Sequence, residues 1–489
     1  MKTEADRKSF VLAIDLGTSS TKSALFDSRG NRILETMAQR AYPLDTDAAG
    51  KAELLAKALA EAFEACVGES IEAGRALHGG TFHIEAVGVS CFWHGLMGLD
   101  AKGKPVTEVI TWADSRCRED AEELRGRWDE KAIHRATGCM VRSSYWPAKL
   151  MWLRRTNARL FKRVARWVSP AEWLMERWCG VGRCAVGMAT GTGLFRPDQL
   201  RWDVKILSFL GIDTAQLNPV GDEPLATSSA IQERYPELKE ARWFPAIGDG
   251  AASNLGSGAV EPGLAALNLG TSAALRVMLR GTAAKAPFGL FCYRVDPERY
   301  LIGGAISNAG NLRAWCLREL KLSSDADELE RALVERKIPQ HGLTILPFWV
   351  AERAPFWREE MPSMVMGLNP GTTALDILQA TTEAVYYRLA LIAETVRKAT
   401  GDIPQIIVSG GAQKSPASMR RLANILNQPV YPSEESEASL RGAAVFALEK
   451  IGAKVDQFKP SKPVRPERKI AAVYASAFAM HRALEERLG

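Results

Sequence analysis

Apolar runs and helical stripes alternate along this chain in a plan that occurs twice. The first half opens with strand-like runs at 10–14, 22–26 and 31–35, the last two joined by the turn Asp27-Ser28-Arg29-Gly30. A helix is predicted over 52–66 and an apolar strand over 86–91. Residues 96–99, turned at 100–103, lead as a hairpin to 109–112, and helical spacing fills 116–127, 147–155 and 170–177. The second half repeats the plan. Strands fall near 264–278 and 290–304, helices at 311–320, 374–400 and 415–427, and a strand at 405–409 precedes the last of these. A Pro-rich stretch, 459–466, leads to a terminal amphipathic helix. Such alternation indicates an α/β layered architecture. Residues 246–262 are rich in Gly and Ala, which places a domain boundary there and divides the chain into 1–255 and 256–489.

One short phrase is written in both halves. Asp15-Leu16-Gly17-Thr18-Ser19 follows the apolar run Phe10-Val11-Leu12-Ala13-Ile14, and Asn268-Leu269-Gly270-Thr271-Ser272 follows Gly263-Leu264-Ala265-Ala266-Leu267. Each copy reads as a buried strand, a Gly turn with hydroxyls, and a second strand, as expected of an internal duplication. Glycine permits close backbone approach, and the N–H groups of such a turn, with Thr and Ser hydroxyls, can grip phosphate oxygens. Two such turns facing across a cleft would hold one polyphosphate. Taken singly, each copy is also compatible with a plain tight hairpin.

Bulk properties narrow the class. At 489 residues the chain is too long for one core. Its 46% hydrophobic and 25% charged residues are ordinary for a soluble globular protein, and a formal charge of +6 is mild. The basic cluster between Arg154 and Arg166 is interrupted by apolar residues at helical spacing, which predicts the solvated face of one amphipathic helix and no nucleic-acid surface. No run of roughly 18 apolar residues is available to span a membrane, and the polar segment 1–9 lacks the apolar core of an export signal, so a cytoplasmic location is expected. The eight Cys contain no CxxC pair and read as reduced thiols, with Cys179 and Cys184 the only close pair. The absence of GxxxxGK[ST] disfavours a P-loop kinase.

The motifs in their order carry more than any one of them. Ala13-Ile14-Asp15-Leu16-Gly17-Thr18-Ser19-Ser20-Thr21-Lys22, Ile110-Thr111-Trp112-Ala113-Asp114-Ser115-Arg116 and the run from Gly248 to Gly256 come first. Leu269-Gly270-Thr271-Ser272, Gly303-Gly304-Ala305, Glu352-Arg353-Ala354-Pro355 and the run from Ser409 to Ser415 follow. In this series the chain resembles the FGGY family of carbohydrate kinases over nearly its whole length. The stretch from Met366 to Glu383 resembles that family's C-terminal signature, with Thr382 where an apolar residue is expected. The resemblance implies two actin-like (ribonuclease H-like) ATPase domains with a nucleotide cleft between them. It also implies ATP with Mg²⁺ and a small-molecule sugar or sugar acid as partner.

Phosphoryl transfer to an alcohol needs a proton acceptor, charge neutralisation and alignment. Asp249, between Gly248 and Gly250 at the expected start of a helix, is the candidate catalytic base, with a helix cap as its alternative role. Asp15 differs from its repeat partner Asn268, so one side of the clamp alone carries an anion; Asp15, through water, and Asp249 are the expected Mg²⁺ holders. Gly17, Thr18, Ser19 and Lys22 are expected at the terminal phosphates, and Gly270, Thr271 and Gly310 at the phosphates from the other side. The turn Gly410-Gly411, with Ser415 at the next helix start, is expected to take adenine. Trp93, His94, Trp112 and Asp114, with Asp249, are the expected sugar contacts, since an indole face stacks on polyol C–H groups while His and Asp bond hydroxyls.

Within the family, Thr111 to Arg116, Phe291-Cys292-Tyr293, the run 303–310 and Ala351 to Trp357 look most like gluconokinases. A gluconate carboxylate calls for a cation, with Arg116, His94 or Arg313 as candidates. Trp93 departs from the Met-His pair of gluconokinases and xylulokinases, which keeps a pentulose such as xylulose as the alternative acceptor. An actin-like chaperone or filament would have no use for the Trp93-His94, Trp112 and Glu352-Arg353 sets. A silent sugar sensor is expected to have lost Asp15 or Asp249, and both are present. A homodimer is compatible with the sequence, which does not fix the oligomeric state.

Overall fold

Two mixed sheets, built on the same local plan, organise the computed structural model, which describes residues 8–79, 82–281, 285–336, 338–456 and 461–488. In the first half the strands are β1 (Lys8–Leu16), β2 (Ser20–Phe26), β3 (Ala38–Ala41), β4 (Phe82–Cys91), β5 (Leu225–Ala226), β6 (Arg242–Trp243) and β7 (Ile247–Gly248). They lie in the order β5-β6-β4-β1-β2-β3, with β7 on the end of β4. Helix α1 (Ala56–His78) covers β2 and β3, and α2 (Asp249–Ser257) continues directly from β7.

The second half contributes β8 (Leu264–Leu269), β9 (Ala273–Arg280), β10 (Phe291–Asp296) and β11 (Arg299–Ile306). After α3 (Gly310–Glu319) and α4 (Ala374–Thr400) come β12 (Gln405–Gly410), α5 (Pro416–Leu426), β13 (Val430–Pro432), α6 (Ala438–Lys450) and α7 (Arg468–Leu488). The sheet order is β10-β11-β9-β8-β12-β13. In each sheet the repeated phrase joins a central strand to an antiparallel neighbour, β1 to β2 and β8 to β9, while a crossover strand, β4 or β12, lies parallel on the other side. The duplication read in the sequence is therefore a duplication of sheet topology.

α6 is where the halves interlock. It comes from the C-terminal half, yet its Leu440, Ala443, Phe446 and Ala447 share one apolar core with β1 and β4. Glycines let the backbones meet. A Cβ on Gly442 would lie 1.7 Å from the Ala252 carbonyl oxygen, one on Gly256 1.8 Å from that of Ala438, and one on Gly88 1.9 Å from that of Ala443. Buried Arg441 ties the pair, donating from Nη1 to the Gly256 carbonyl at 2.7 Å and from Nε to that of Gly30 at 3.2 Å. The 255/256 division expected from the sequence falls inside α2.

Several elements differ from expectation for local reasons. Residues 31–35 form no strand but a bridge at Arg32 and a 3₁₀ turn, Leu34–Thr36; Thr36 Oγ1 donates to the Ile33 carbonyl and accepts from Leu25 N–H, ending strand pairing. The helix expected from residue 52 starts only at Ala56, because Ala52–Leu54 pairs as a short strand with Val109–Ile110. The basic stretch after Arg154 is two helices, Trp146–Thr156 and Ala158–Arg163, broken at Asn157, whose side chain caps the second. Segment 1–7 and Lys459-Pro460 lie outside the described residues. All eight cysteines are buried and unbridged. Among the described residues no helix is long and apolar enough to cross a membrane.

The interlock makes a stability prediction. Gly442→Ala forces backbone against backbone and is expected to destabilise the protein by about 3 kcal/mol or more. Gly126→Ala, where nothing lies within 4 Å, should be neutral or mildly stabilising. Denaturant midpoints compare them; equal midpoints would contradict the backbone-contact account.

Candidate active site

The two repeated turns open onto one cavity of about 350 Å³, lined from the first half by Asp15, Gly17, Thr18, Ser19 and Lys22 and from the second by Asn268, Ser272 and Arg276. Both turns are closed by the N–H of their glycine, the first onto the carbonyl three residues on and the second onto the carbonyl two residues on. Gly17 N–H donates to the Ser20 carbonyl and Gly270 N–H to that of Ser272, each at 3.0 Å. The strands run into the cleft, so Thr18 and Ser19 in one turn and Ser272 in the other sit at the strand ends, where backbone N–H groups gather. Lys22 lies opposite Asp15 across β1 and β2 and bonds Glu437, immediately before α6, at 2.5 Å. Asn268, the partner of Asp15 in the repeat, donates to Ser409 Oγ at 3.2 Å.

Asp249 is the first residue of α2, and its Oδ1 accepts the Gly250 N–H at 2.8 Å. Burial raises its pKa, while Arg276 and N–H groups of Gly250 and Trp93 pull it back toward the charged form. Asp15 faces the same space. Its Oδ1 is buried without a hydrogen-bond partner among the described residues. Burial, reinforced by the nearby Asp249 charge, pushes its pKa up to about 6, with Ser90 and Lys22 opposing. Asp15, with its unpartnered Oδ1, and Asp249 face one cavity, and such a pair fits a hard divalent cation, which takes oxygen ligands.

Trp93 lines the same cavity beside Asp249. Its Nε1 donates to the Gly187 carbonyl at 3.0 Å. The ring fits because three glycines surround it; a Cβ on Gly248, Gly250 or Gly191 would fall 1.9, 2.6 or 2.4 Å from indole carbons. His94, in the left-handed region at φ 67°, places Nδ1 2.6 Å from the Gly191 carbonyl. Burial, with Lys149 and Arg353 nearby, holds its pKa down to about 3. The ring is therefore neutral, donates from Nδ1, and keeps Nε2 as an acceptor. Buried Lys149 supports it, donating to the His94 carbonyl at 2.7 Å.

Trp112 lines the cavity with the Arg353 guanidinium over its ring, 4.9 Å from the centroid. Asp114 does not line the cavity. It is buried beneath, accepting from Ala52 N–H at 2.9 Å and from Arg116, which also pairs with Glu53. The reason is local: Arg116 lies two residues on and folds back onto Asp114.

The glycines expected around the nucleotide cluster beyond the second turn. Gly310 N–H donates to the Gly270 carbonyl at 3.0 Å, and Asn311 N–H to that of Thr271 at 3.1 Å. Gly410 pairs with Leu269 and has φ 91°, and Gly411 faces open space. None of Gly270, Thr271, Gly310, Gly410 and Gly411 lines the cavity itself. The Ser415 hydroxyl is held by the Glu330 carboxylate at 2.8 Å and caps α5.

Arg276, Arg353, Tyr145 and Tyr293 received no role from sequence reasoning, yet all four line the cavity. For Arg276 a signal was available, since a lone charge interrupts the apolar strand Ala274-Leu275-Arg276-Val277-Met278. Arg353 stood in a quoted motif, but which of its charges faces inward is a tertiary matter.

Comparison with known proteins agrees with this geometry. The chain is 25% identical to the gluconokinase of Bacillus subtilis over 469 residues, covering 92% of this chain and 89% of that protein. The gluconate kinase structure from Lactobacillus acidophilus superposes with a TM-score of 0.90 at 25% identity, covering 98% of both chains. A ligand-bound xylulose kinase from the same organism superposes at 0.89, also at 25% identity and with 98% of both chains covered. The N-terminal domain model of the FGGY carbohydrate kinases matches residues 10–234 and the C-terminal model residues 265–449. With both domain models matched and two sheets of like topology flanking a carboxylate-bearing cleft, the chain belongs to the FGGY family of carbohydrate kinases.

Proposed function

We propose that this carbohydrate kinase transfers the γ-phosphoryl group of ATP to a hydroxyl of a sugar acid, gluconate giving 6-phosphogluconate. The observation that carries the reading is the single cavity joining both repeated turns to Asp249. The similarity to gluconokinases supports gluconate. A pentulose such as xylulose is the second reading, favoured by the near-equal likeness to a xylulose kinase structure.

The polyol lies over Trp93, with His94 Nε2 accepting from one of its hydroxyls. Asp249 accepts the proton of the attacking hydroxyl, held in position by the Gly250 N–H. Gly17, Thr18, Ser19 and Lys22 hold the terminal phosphate from the 1–255 side. Gly270, Thr271 and Gly310 hold the remaining phosphates from the 256–489 side, and the purine lies on Gly410-Gly411, where the backbone is open. Asp15, through water, and Asp249 would hold Mg²⁺, which when bound neutralises charge on the phosphates. Asp114 and Ser415 act as supports, the first through Arg116 and the second through the α5 cap.

Two outcomes test the roles. Asp249→Asn should retain ATP binding while turnover falls by a factor on the order of 10² or more; near-normal turnover would remove Asp249 from the base role. The pH profile follows from Asp15, whose carboxyl titrates near 6 in the folded protein against an ordinary value of 3.8. Between these values the folded state keeps a proton that the unfolded state has lost, so this group's contribution to stability declines as pH rises through that window. The anion needed for the cation forms only above it. kcat/KM should therefore climb toward pH 6 and level off, the limb belonging to the coupled Asp15–Asp249 pair. A profile flat down to pH 5 would contradict the assignment.

A further inference from the structure

None of the cations expected to meet an acidic acceptor offers a free charge to the cavity. Arg116 lies outside the cavity, bound to Asp114 and Glu53 and stacked on Trp152 at 4.4 Å. His94 is neutral. Arg313 sits on α3, which docks by its first residues on the second phosphate turn, and does not line the cavity.

Two other guanidiniums do line it. Arg276 and Arg353 belong to no ion pair within 4.0 Å among the described residues, whereas Lys22 is paired with Glu437. Arg276 packs against the base: a Cβ on Gly250 would lie 2.7 Å from its Nε, and its charge acts chiefly on Asp249. Arg353 also acts on Asp249, but less than Arg276 does. It is held by the Trp112 ring on one side, and its Nε is buried without a hydrogen-bond partner.

Around it lie Tyr145 and Tyr293, whose hydroxyls are 2.7 Å apart. When Tyr293, which also bonds the Cys139 thiol, donates to Tyr145, the Tyr145 O–H is left for an outside acceptor. A planar cation beside a spare hydroxyl matches a carboxylate, which accepts several hydrogen bonds in its plane. With a neutral polyol the carboxylate acting on Arg353 is Asp249, which Arg276 already shares, so two buried guanidiniums would face one carboxylate, an unfavourable arrangement in a low-dielectric site.

We propose that Arg353, oriented by Trp112 and assisted by the Tyr145–Tyr293 pair, binds the acceptor's carboxylate and thereby selects sugar acids over neutral sugars. The assignment rests on the sugar-acid reading above and adds the residue that enforces it.

The experiment compares gluconate with glucitol, the same carbon chain bearing CH₂OH in place of the carboxylate, for wild type, Arg353→Gln and Arg353→Lys, by ADP release. Wild type should favour gluconate. Arg353→Gln should raise the gluconate KM on the order of 10²-fold, as expected for loss of a buried charged partner, and move the glucitol KM less than about threefold. Arg353→Lys should recover part of the gluconate KM, since charge returns without the planar fork. A merely structural role would depress both acceptors together, and that result, or an unchanged gluconate KM in Arg353→Gln, overturns the assignment. A wild-type enzyme that phosphorylates neutral sugars but not gluconate instead sinks the sugar-acid reading, before any variant is considered.

Discussion

Backbone-to-backbone contact between α2 and α6 is the constraint on which the site depends. Helices ordinarily pack with side chains between them, at axial separations of 8–10 Å. Here Gly256 and Gly442 remove the side chains at the crossing, and Gly88 does the same where α6 meets β4. The contact places the first residue of α2, Asp249, and the residue before α6, Glu437, at the same cleft. Asp249 and the carboxylate that grips Lys22 are thus carried by one helix pair. That pair is rooted in the core of the first sheet.

Electrostatics then sets the character of the cleft. Asp15, Asp249, Arg276 and Arg353 are buried and face a common space, so each charge is felt strongly by the others. Arg276 opposes the rise in the Asp249 pKa, while Asp249 adds to the rise at Asp15. Two carboxylates and two guanidiniums therefore share one space, with Asp249 acting on both cations.

Side-chain volume is handled as economically as charge. Trp93 puts a large ring in the cavity wall, and it is admitted only because Gly191, Gly248 and Gly250 line its faces. Gly248 and Gly250, which leave room for the indole, also flank Asp249, so a substitution at either would act on Trp93 and on Asp249 together.

Much of the plan was legible in the sequence. The repeated phrase gave the two strand–turn–strand units because strand periodicity and Gly turns are local properties, and the order of motifs gave the family. α4 spans the predicted 374–400, since its apolar stripe and Thr373 cap are written in consecutive residues. Other features were not legible. α6, dense in Ala and Gly, carries little amphipathic signal because it is buried on nearly every side. Asp114 looked like a ligand and is a buried partner of Arg116, whereas Arg353 looked like part of a motif and faces the cavity. Local pattern fixes which element a residue joins. Which way its charge points, and what meets it there, depends on segments hundreds of residues away and is decided only when the two sheets close on one cleft.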